Sequence, residues 1–391
     1  MPCNKIVMES GFTYSTYVTG KNFIGRKSET SALGNLIRQG ENVVLCAPPK
    51  SGKSSLIHQA CFNLRLEGEQ FSTAELSLLN ARTIADIMMR LGSTLIKMTG
   101  NTAEDYEESV SRFLPGTHFV FDPQAYESKE MAVSLGWDID EQDIKAVLTL
   151  PYRISEAKGS RTIVILKEFQ NVMMTEDGDM ICGVLEDVFR NLTPEDRKKA
   201  CYILCSSQVN AMGGILRSRK QLRHLTESLE LTPISNKEIA ESAIRTFLST
   251  GKVIDKDLMT GVCILFKSNV WYINHFCAIC DSLSKGYIME PILNAALDRI
   301  IAIHEPAFSA VMNDLTTFQV CLLRAIMDGH TKFCSAEVIE RYNLSSSANV
   351  RRLKDALCRK EIITFDENDA PVLLDPLFEY WVGKYFFEIK Q

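Results

Sequence analysis

Lys53 and Ser54 close the stretch APPKSGKS, Ala47 to Ser54, which lies between an apolar run (Val43, Val44, Leu45) and a helix-like segment, SLIHQACFNLRL. A glycine, a lysine and a hydroxyl at this spacing suit one kind of chemistry, the holding of phosphate groups. The stretch fits G-x-x-x-x-G-K-[ST] at every position but the first, where Ala47 replaces glycine and adds only a methyl at the strand exit. Gly52 lets the backbone curl with its N–H groups pointing inward around a β-phosphate. Lys53 can reach the β- and γ-phosphates, Ser54 can ligate Mg²⁺, and the helix beginning near Ser55 places its N-terminus beneath the anion. Pro49, Lys50, Ser51, Gly52, Lys53, Ser54 and Ser55 are therefore the candidate contacts for a nucleotide, ATP or ADP, with Ser54 also the candidate metal ligand.

The other half of such a site is an apolar strand ending in acidic residues. TIVILKEFQ has that shape, but Lys167 stands where an aspartate would hold Mg²⁺ directly or through its water. Glu168 follows, at the position of a base that polarises an attacking water. A lysine there weakens metal binding while adding a charge that could pair with a phosphate oxygen; equally, Lys167 could pair with Glu168 or a neighbouring carboxylate and act only structurally. Nucleotide binding is expected to survive this change better than turnover. A further strand, CYILCSS, ends in Ser206, Ser207 and Gln208, which could lie beside a γ-phosphate or simply begin the next helix. Arg217 and Arg219 are candidates to touch phosphate or a neighbouring subunit, or to be solvated on a polar helix face.

These residues need a scaffold, and the chain supplies one. From Asn22 onward strand-like and helix-like segments alternate, the pattern of an α/β unit with a mainly parallel sheet. The strands are expected at NVVLC, FSTAELSL, TIVIL, CYILCSS and SLELTP. The stretch from about Asn101 to Gly136 is less regular and reads as an insertion or loop. After Pro233 helical periodicity takes over, opened by Ser235 and Glu238 at capping-box spacing. From Leu315 three short helices and a hairpin (IITFD, ENDA, PVLLD) describe a winged helix. The 391 residues thus divide into a core over 1–233, an all-helical lid over 234–308 and a winged helix over 309–391. The terminal LFEYWVGKYFF reads as a helix docked on the body.

The bulk numbers exclude some alternatives. A net charge of -6 argues against a surface that binds nucleic acid throughout. The first twenty residues do not read as a signal peptide, and no run approaches a membrane span, so a soluble cytoplasmic protein is expected. The twelve cysteines are scattered through apolar segments and most read as buried thiols; Cys277 and Cys280, the only CxxC, read as part of a core helix, a zinc site being unsupported.

On these residues the chain resembles the archaeal-type ATPases of the AAA+/STAND division of P-loop NTPases, numerous in Bacteroidetes and archaea. NFIGRKSETSALGNLI is similar to that family's F-x-G-R-x-x-E lead-in, KEFQ to its D-E-F-Q, and ILCSSQ to its I-x-x-G-S strand. LTTFQVCLLRAI, YNLSSSANVRRLKDAL and LLDPLFEYWV are similar to its winged-helix tail. The resemblance spans about Val18 to Tyr385 and implies an αβα P-loop core, a helical lid and a winged helix working as a nucleotide-driven switch. It also implies an ATPase whose acidic strand end is degenerate, using Lys53, Ser54 and Glu168, with Phe23, Gly25 and Arg26 near the base. The alternatives are a non-hydrolysing scaffold with a protein partner or self-association, and a nucleotide-gated DNA-binding regulator. Arg351, Arg352, Lys354, Arg359 and Lys360, with Ser345, Ser346, Ser347 and Asn349, could read DNA. Against that, residues 309–391 hold 10 Lys and Arg against 12 Asp and Glu, and the wing FDENDA is acidic.

Overall fold

The computed structural model describes residues 11–389, so the first ten of the twenty residues weighed above as a leader lie outside them. The chain divides into two compact units. Residues 27–47 and 59–231 form one; residues 11–26, 48–58 and 232–389 form the other.

The first unit is built on five strands: β1 (Val43–Cys46), β2 (Phe71–Ser77), β3 (Arg161–Lys167), β4 (Ala200–Ser206) and β5 (Glu227–Leu229). Their order is β2-β3-β4-β1-β5 and every pairing is parallel. Thr162–Leu166 of β3 and all of β4 are buried. That accounts for their continuous apolar character, since a parallel sheet covered on both faces has no polar side to show. The order places β4 between β1, which leads into the Lys53 loop, and β3, which carries Lys167. The helix Lys27–Gln39 buries Leu33 and Ile37 and ends at Gly40, with φ 72°. A side chain there would meet the Arg197 carbonyl, so both conformation and space require glycine. Arg161 satisfies the carbonyls left over at that helix end, donating to those of Ile37 at 2.6 Å and Arg38 at 3.0 Å.

The stretch from Asn101 to Gly136, expected as irregular, is ordered into elements. A helix spans Ala103–Phe113 with a Thr102/Asp105 capping box, a second spans Pro123–Lys129, and Phe119–Val120 pairs antiparallel with Ser134–Leu135. The first helix does carry a face, burying Tyr106, Val110 and Phe113, whereas the seven-residue helix and the two-residue strands are too short to show a period.

In the second unit the helices Asn236–Ser249, Lys256–Leu265, Val270–Leu283 and Glu290–Asn313 follow the expected lid. The lid is not wholly helical: Val253–Ile254 and Tyr287–Ile288 form a two-residue parallel pair. The tail contains helices Thr317–Met327, Ala336–Arg341 and Ser347–Arg359, then the antiparallel hairpin Ile363–Phe365 and Pro371–Leu373. A last helix, Pro376–Trp381, runs into a π turn, Val382–Phe386, and buries Leu377, Phe378, Trp381 and Val382. Lid and tail share one hydrophobic cluster, which includes Phe12, Phe247, Phe266, Phe276 and Trp381. Cys277 and Cys280 are buried in it on the helix Val270–Leu283. Among the described residues no helix is long and apolar enough to cross a membrane.

Candidate nucleotide-binding site

Residues 48–54 leave the sheet and turn into the helix Lys53–Leu66. Two of them adopt the left-handed region, Lys50 at φ 62° and Gly52 at φ 90°. Alternation of this kind turns successive N–H groups toward one concavity, the geometry that binds anions. Lys53 Nζ donates to the Pro48 carbonyl at 2.9 Å and reaches Ser51 Oγ at 3.5 Å, so its ammonium lies over the loop. Ser55 Oγ accepts from the Val18 N–H at 3.1 Å, and Tyr17 stacks on His58 at 3.7 Å, which fixes the lead-in segment along the start of the helix.

That segment also brings Arg26 to the loop. A Cβ built on Gly52 would lie 3.6 Å from an Arg26 guanidinium nitrogen. Arg26 is itself left-handed, as is Gly25 beside it, where a side chain would strike Ile234 at 2.7 Å. Phe23 is half-buried, its N–H donating to Gly20.

The strand ends of the other unit carry a separate constellation. Lys167 Nζ is ion-paired with Glu75 of β2. Of the two roles open to this lysine, the structure gives it the carboxylate partner. Glu168 is left-handed, φ 55°, and accepts from the Ser207 hydroxyl, from the Ser207 N–H at 3.4 Å and from Gln170 Nε2 at 2.9 Å. Gln170 accepts from Ser206 Oγ at 2.7 Å. The chain Ser206–Gln170–Glu168–Ser207 therefore locks the carboxylate to the end of β4. Arg219 pairs with Asp179 at 2.5 Å and Glu186 at 3.5 Å, whereas Arg217 is exposed.

In the tail, Lys354 pairs with Asp369 of the wing at 3.5 Å and lies 4.0 Å over the Phe365 ring, and Lys360 pairs with Asp314. Ser346 caps its helix through the Asn349 N–H, and Asn349 donates to the Leu344 carbonyl at 3.0 Å. Arg351, Arg352 and Arg359 are exposed.

Both the lead-in to the loop and the strand order can now be set against solved structures. The walker-type ATPase PABY2304 of Pyrococcus abyssi is 15% identical, with a TM-score of 0.67 over 95% of this chain and 99% of that one. The chain has the fold of a P-loop ATPase. The Aeropyrum pernix ORC2 protein, solved as ADPNP-ADP complexes, is similar at a TM-score of 0.55 and 13% identity over 92% of this chain and 93% of its own. Its ADP form gives 0.55 and 13% over 95% and 98%. Residues 306–384 match the family "Probable winged helix domain", in agreement with the three helices and hairpin. No curated protein matches by sequence. The resemblance to archaeal ATPases read from the sequence thus stands at the level of the fold.

Four residues that sequence reasoning missed surround these groups. Glu75 was legible only as a carboxylate inside a strand, and its pairing with Lys167 depends on register. Trp271, Tyr272 and Asp375 engage Lys50. Nζ donates to the Tyr272 hydroxyl at 2.9 Å and lies 4.4 Å from the centroids of both rings, while the Tyr272 hydroxyl donates to Asp375 at 2.6 Å. Burial pulls the Lys50 pKa down, with Asp375 opposing, and pushes the Tyr272 phenol up. Asp375 is visible in the sequence as the residue before Pro376, a helix start, but nothing there ties it to the loop.

Proposed function

We propose that the protein is a nucleotide-dependent switch that binds ATP or ADP with Mg²⁺ and hydrolyses ATP slowly or conditionally. The observation that carries this reading is the left-handed turn at Lys50 and Gly52 running into a helix headed by Lys53 and Ser54. In this reading the N–H groups of Pro49-flanked Lys50, Ser51, Gly52, Lys53, Ser54 and Ser55 hold phosphate, and Lys53 and Arg26 add charge. Phe23 and Gly25 lie toward the base. A bound Mg²⁺ supplies charge neutralisation between the phosphates, and Ser54 is its protein ligand. Glu168 orients the attacking water. The chain divides functionally into a core (1–233), a lid (234–308) and a winged helix (309–391), in the cytoplasm, with a protein partner or self-association as its output.

A second reading, a scaffold that binds nucleotide without cleaving it, is favoured by the Lys167–Glu75 ion pair, which replaces a metal-holding carboxylate with an internally satisfied cation. DNA binding is the weaker reading, because Lys354 and Lys360 are already paired with carboxylates. The deciding measurement is phosphate release from Mg²⁺-ATP, with Lys53→Ala as the blank and retained nucleotide quantified in parallel. Release above the blank supports the switch, and retention without release supports the scaffold. Absence of both in the wild-type protein sinks the nucleotide reading altogether.

A further inference from the structure

Lys50 connects the phosphate loop to the far end of the chain. Its ammonium is held by the Tyr272 hydroxyl and by the faces of Trp271 and Tyr272, all at the start of the lid helix Val270–Leu283. Tyr272 is 1% exposed. Its hydroxyl passes the contact on to one oxygen of Asp375. The other oxygen caps the last helix, accepting from the N–H groups of Leu377 at 2.9 Å and Phe378 at 3.1 Å. An unbroken line of three side chains therefore runs from the loop through the lid to the helix Pro376–Trp381. Around it, His275 stacks against Tyr14 and His304 against Phe308. Burial and the nearby Lys50 charge hold both imidazoles neutral at pH 7. Asp375 thus supplies the countercharge to a half-buried ammonium.

The strength of that hold decides what a phosphate would do to it. A phenol oxygen is neutral, and ring faces hold an ammonium only through the ring quadrupole. A phosphate oxygen carries charge, and charge-assisted hydrogen bonds are roughly twice as strong as neutral ones. Lys50 is itself a residue of the loop, so its four-carbon stem starts within the phosphate concavity. Were the ammonium to turn to phosphate, the half-buried Asp375 carboxylate would be left without its cation, and the cap of the last helix would weaken.

We propose that Lys50, Tyr272 and Asp375 form a latch in which the loop's second lysine is shared between nucleotide phosphate and the C-terminal helix, so that phosphate occupancy releases the tail. The inference rests on the nucleotide reading above and adds to it the route by which the tail senses the loop. Coupling of this kind is reciprocal. Since phosphate weakens the latch, the intact latch weakens phosphate binding, and breaking it raises phosphate affinity.

The test uses the full chain with Tyr272→Phe, which keeps the ring faces, and Asp375→Asn, which keeps an oxygen for the helix cap. ADP and Mg²⁺-ATP affinities are measured by equilibrium dialysis, and amide hydrogen exchange is followed over residues 376–386 with and without ADP. Both variants are expected to bind nucleotide about 5- to 20-fold more tightly than wild type, within the usual range of coupling between sites. ADP is expected to speed exchange of the last helix in wild type, and the variants to exchange fast already without it. Should Tyr272→Phe fail to fold, Asp375→Asn carries the same comparison. Equal affinity in all forms, or weaker binding in the variants, overturns the latch and leaves the nucleotide reading standing. Failure of every form, wild type included, to retain nucleotide overturns both.

Discussion

Lys167 is ion-paired with Glu75 across the parallel register of β2 and β3, the register that sets Ser77 beside Lys167 itself. Both side chains are partly exposed, at 26% and 34%, so the pair is worth on the order of 1 kcal/mol or less in stability. Its larger effect is on what can replace the lysine. Lys167→Asp alone would set two carboxylates against each other, and one would take up a proton or push the other away. The expected result is little gain in phosphate release, no more than about twofold, from Lys167→Asp. The double change Lys167→Asp with Glu75→Gln is expected to gain tenfold or more (about 1.4 kcal/mol off the barrier). Steady-state phosphate release on the four forms checks it, and a double variant no faster than wild type shows that position 167 does not limit turnover.

Glu168 is held by Ser207 and Gln170, so removing its charge and removing its support should differ. Glu168→Gln is expected to lower phosphate release by about 100-fold, the scale of general-base catalysis, with nucleotide retention within about threefold. Ser207→Ala should lower kcat by a smaller factor and leave KM unchanged, because it alters the orientation of Glu168 and not the grip on substrate. Loss of retention in either variant would place these residues in binding instead.

Gly52 has φ 90°, and a methyl added there meets only Arg26 at 3.6 Å, an ordinary contact. Space therefore does not forbid Gly52→Ala; backbone conformation does, at about 1–3 kcal/mol. The expected outcome is a stability loss of that order in urea unfolding together with a nucleotide affinity lowered tenfold or more, as the loop relaxes away from φ > 0. Unchanged affinity at full loss of stability would separate the turn from the site.

His304 has its pKa lowered to about 4, chiefly by burial and then by Lys50 and His275. In the unfolded chain it titrates near 6.5. Between those values the unfolded state binds more protons than the folded one, so stability is full above about pH 6.5 and falls as pH drops toward 4. The group is partly exposed, so solvent screening reduces the size of this acid-side loss without changing its sign. His304→Phe, which retains a ring to stack on Phe308, should flatten that limb when urea midpoints at pH 7.5 and pH 5 are compared. An acid limb as steep as wild type's would assign the loss to other groups.

What could be read in the sequence was what local chemistry dictates. The loop from Ala47 to Ser54 was legible because its glycine and lysine answer to backbone conformation and phosphate reach within eight residues. Strands β1, β3 and β4 were legible because a doubly covered sheet demands apolar runs, while β2 and β5 show mixed exposure and were read from their place in the alternation of strands and helices. The role of Lys167 was not, since the choice between phosphate and carboxylate depends on which residue of FSTAELS falls beside it, a matter of register. Tyr272 and Asp375 were hidden for a stronger reason. Each reads locally as an ordinary residue near a helix start, and only the shared core of lid and tail brings them together. In segment 101–136 the helix Ala103–Phe113 carried a capping box and a periodic face that could have been read, whereas Pro123–Lys129 and the two-residue strands are too short to show a period.

The packing of Phe12 against Phe247, with ring centroids 4.5 Å apart, has a consequence for how the chain is made. A ribosome adds roughly 5 to 20 residues each second, so the phenyl group of Phe12 waits on the order of ten to fifty seconds before its partner is synthesised. The loop around Lys50 waits as well, since its ring partners Trp271 and Tyr272 arrive later still, whereas Tyr17 and Val18 meet His58 and Ser55 early. Until Phe247 is made, the Phe12 ring stands on the nascent chain without the aromatic it packs against.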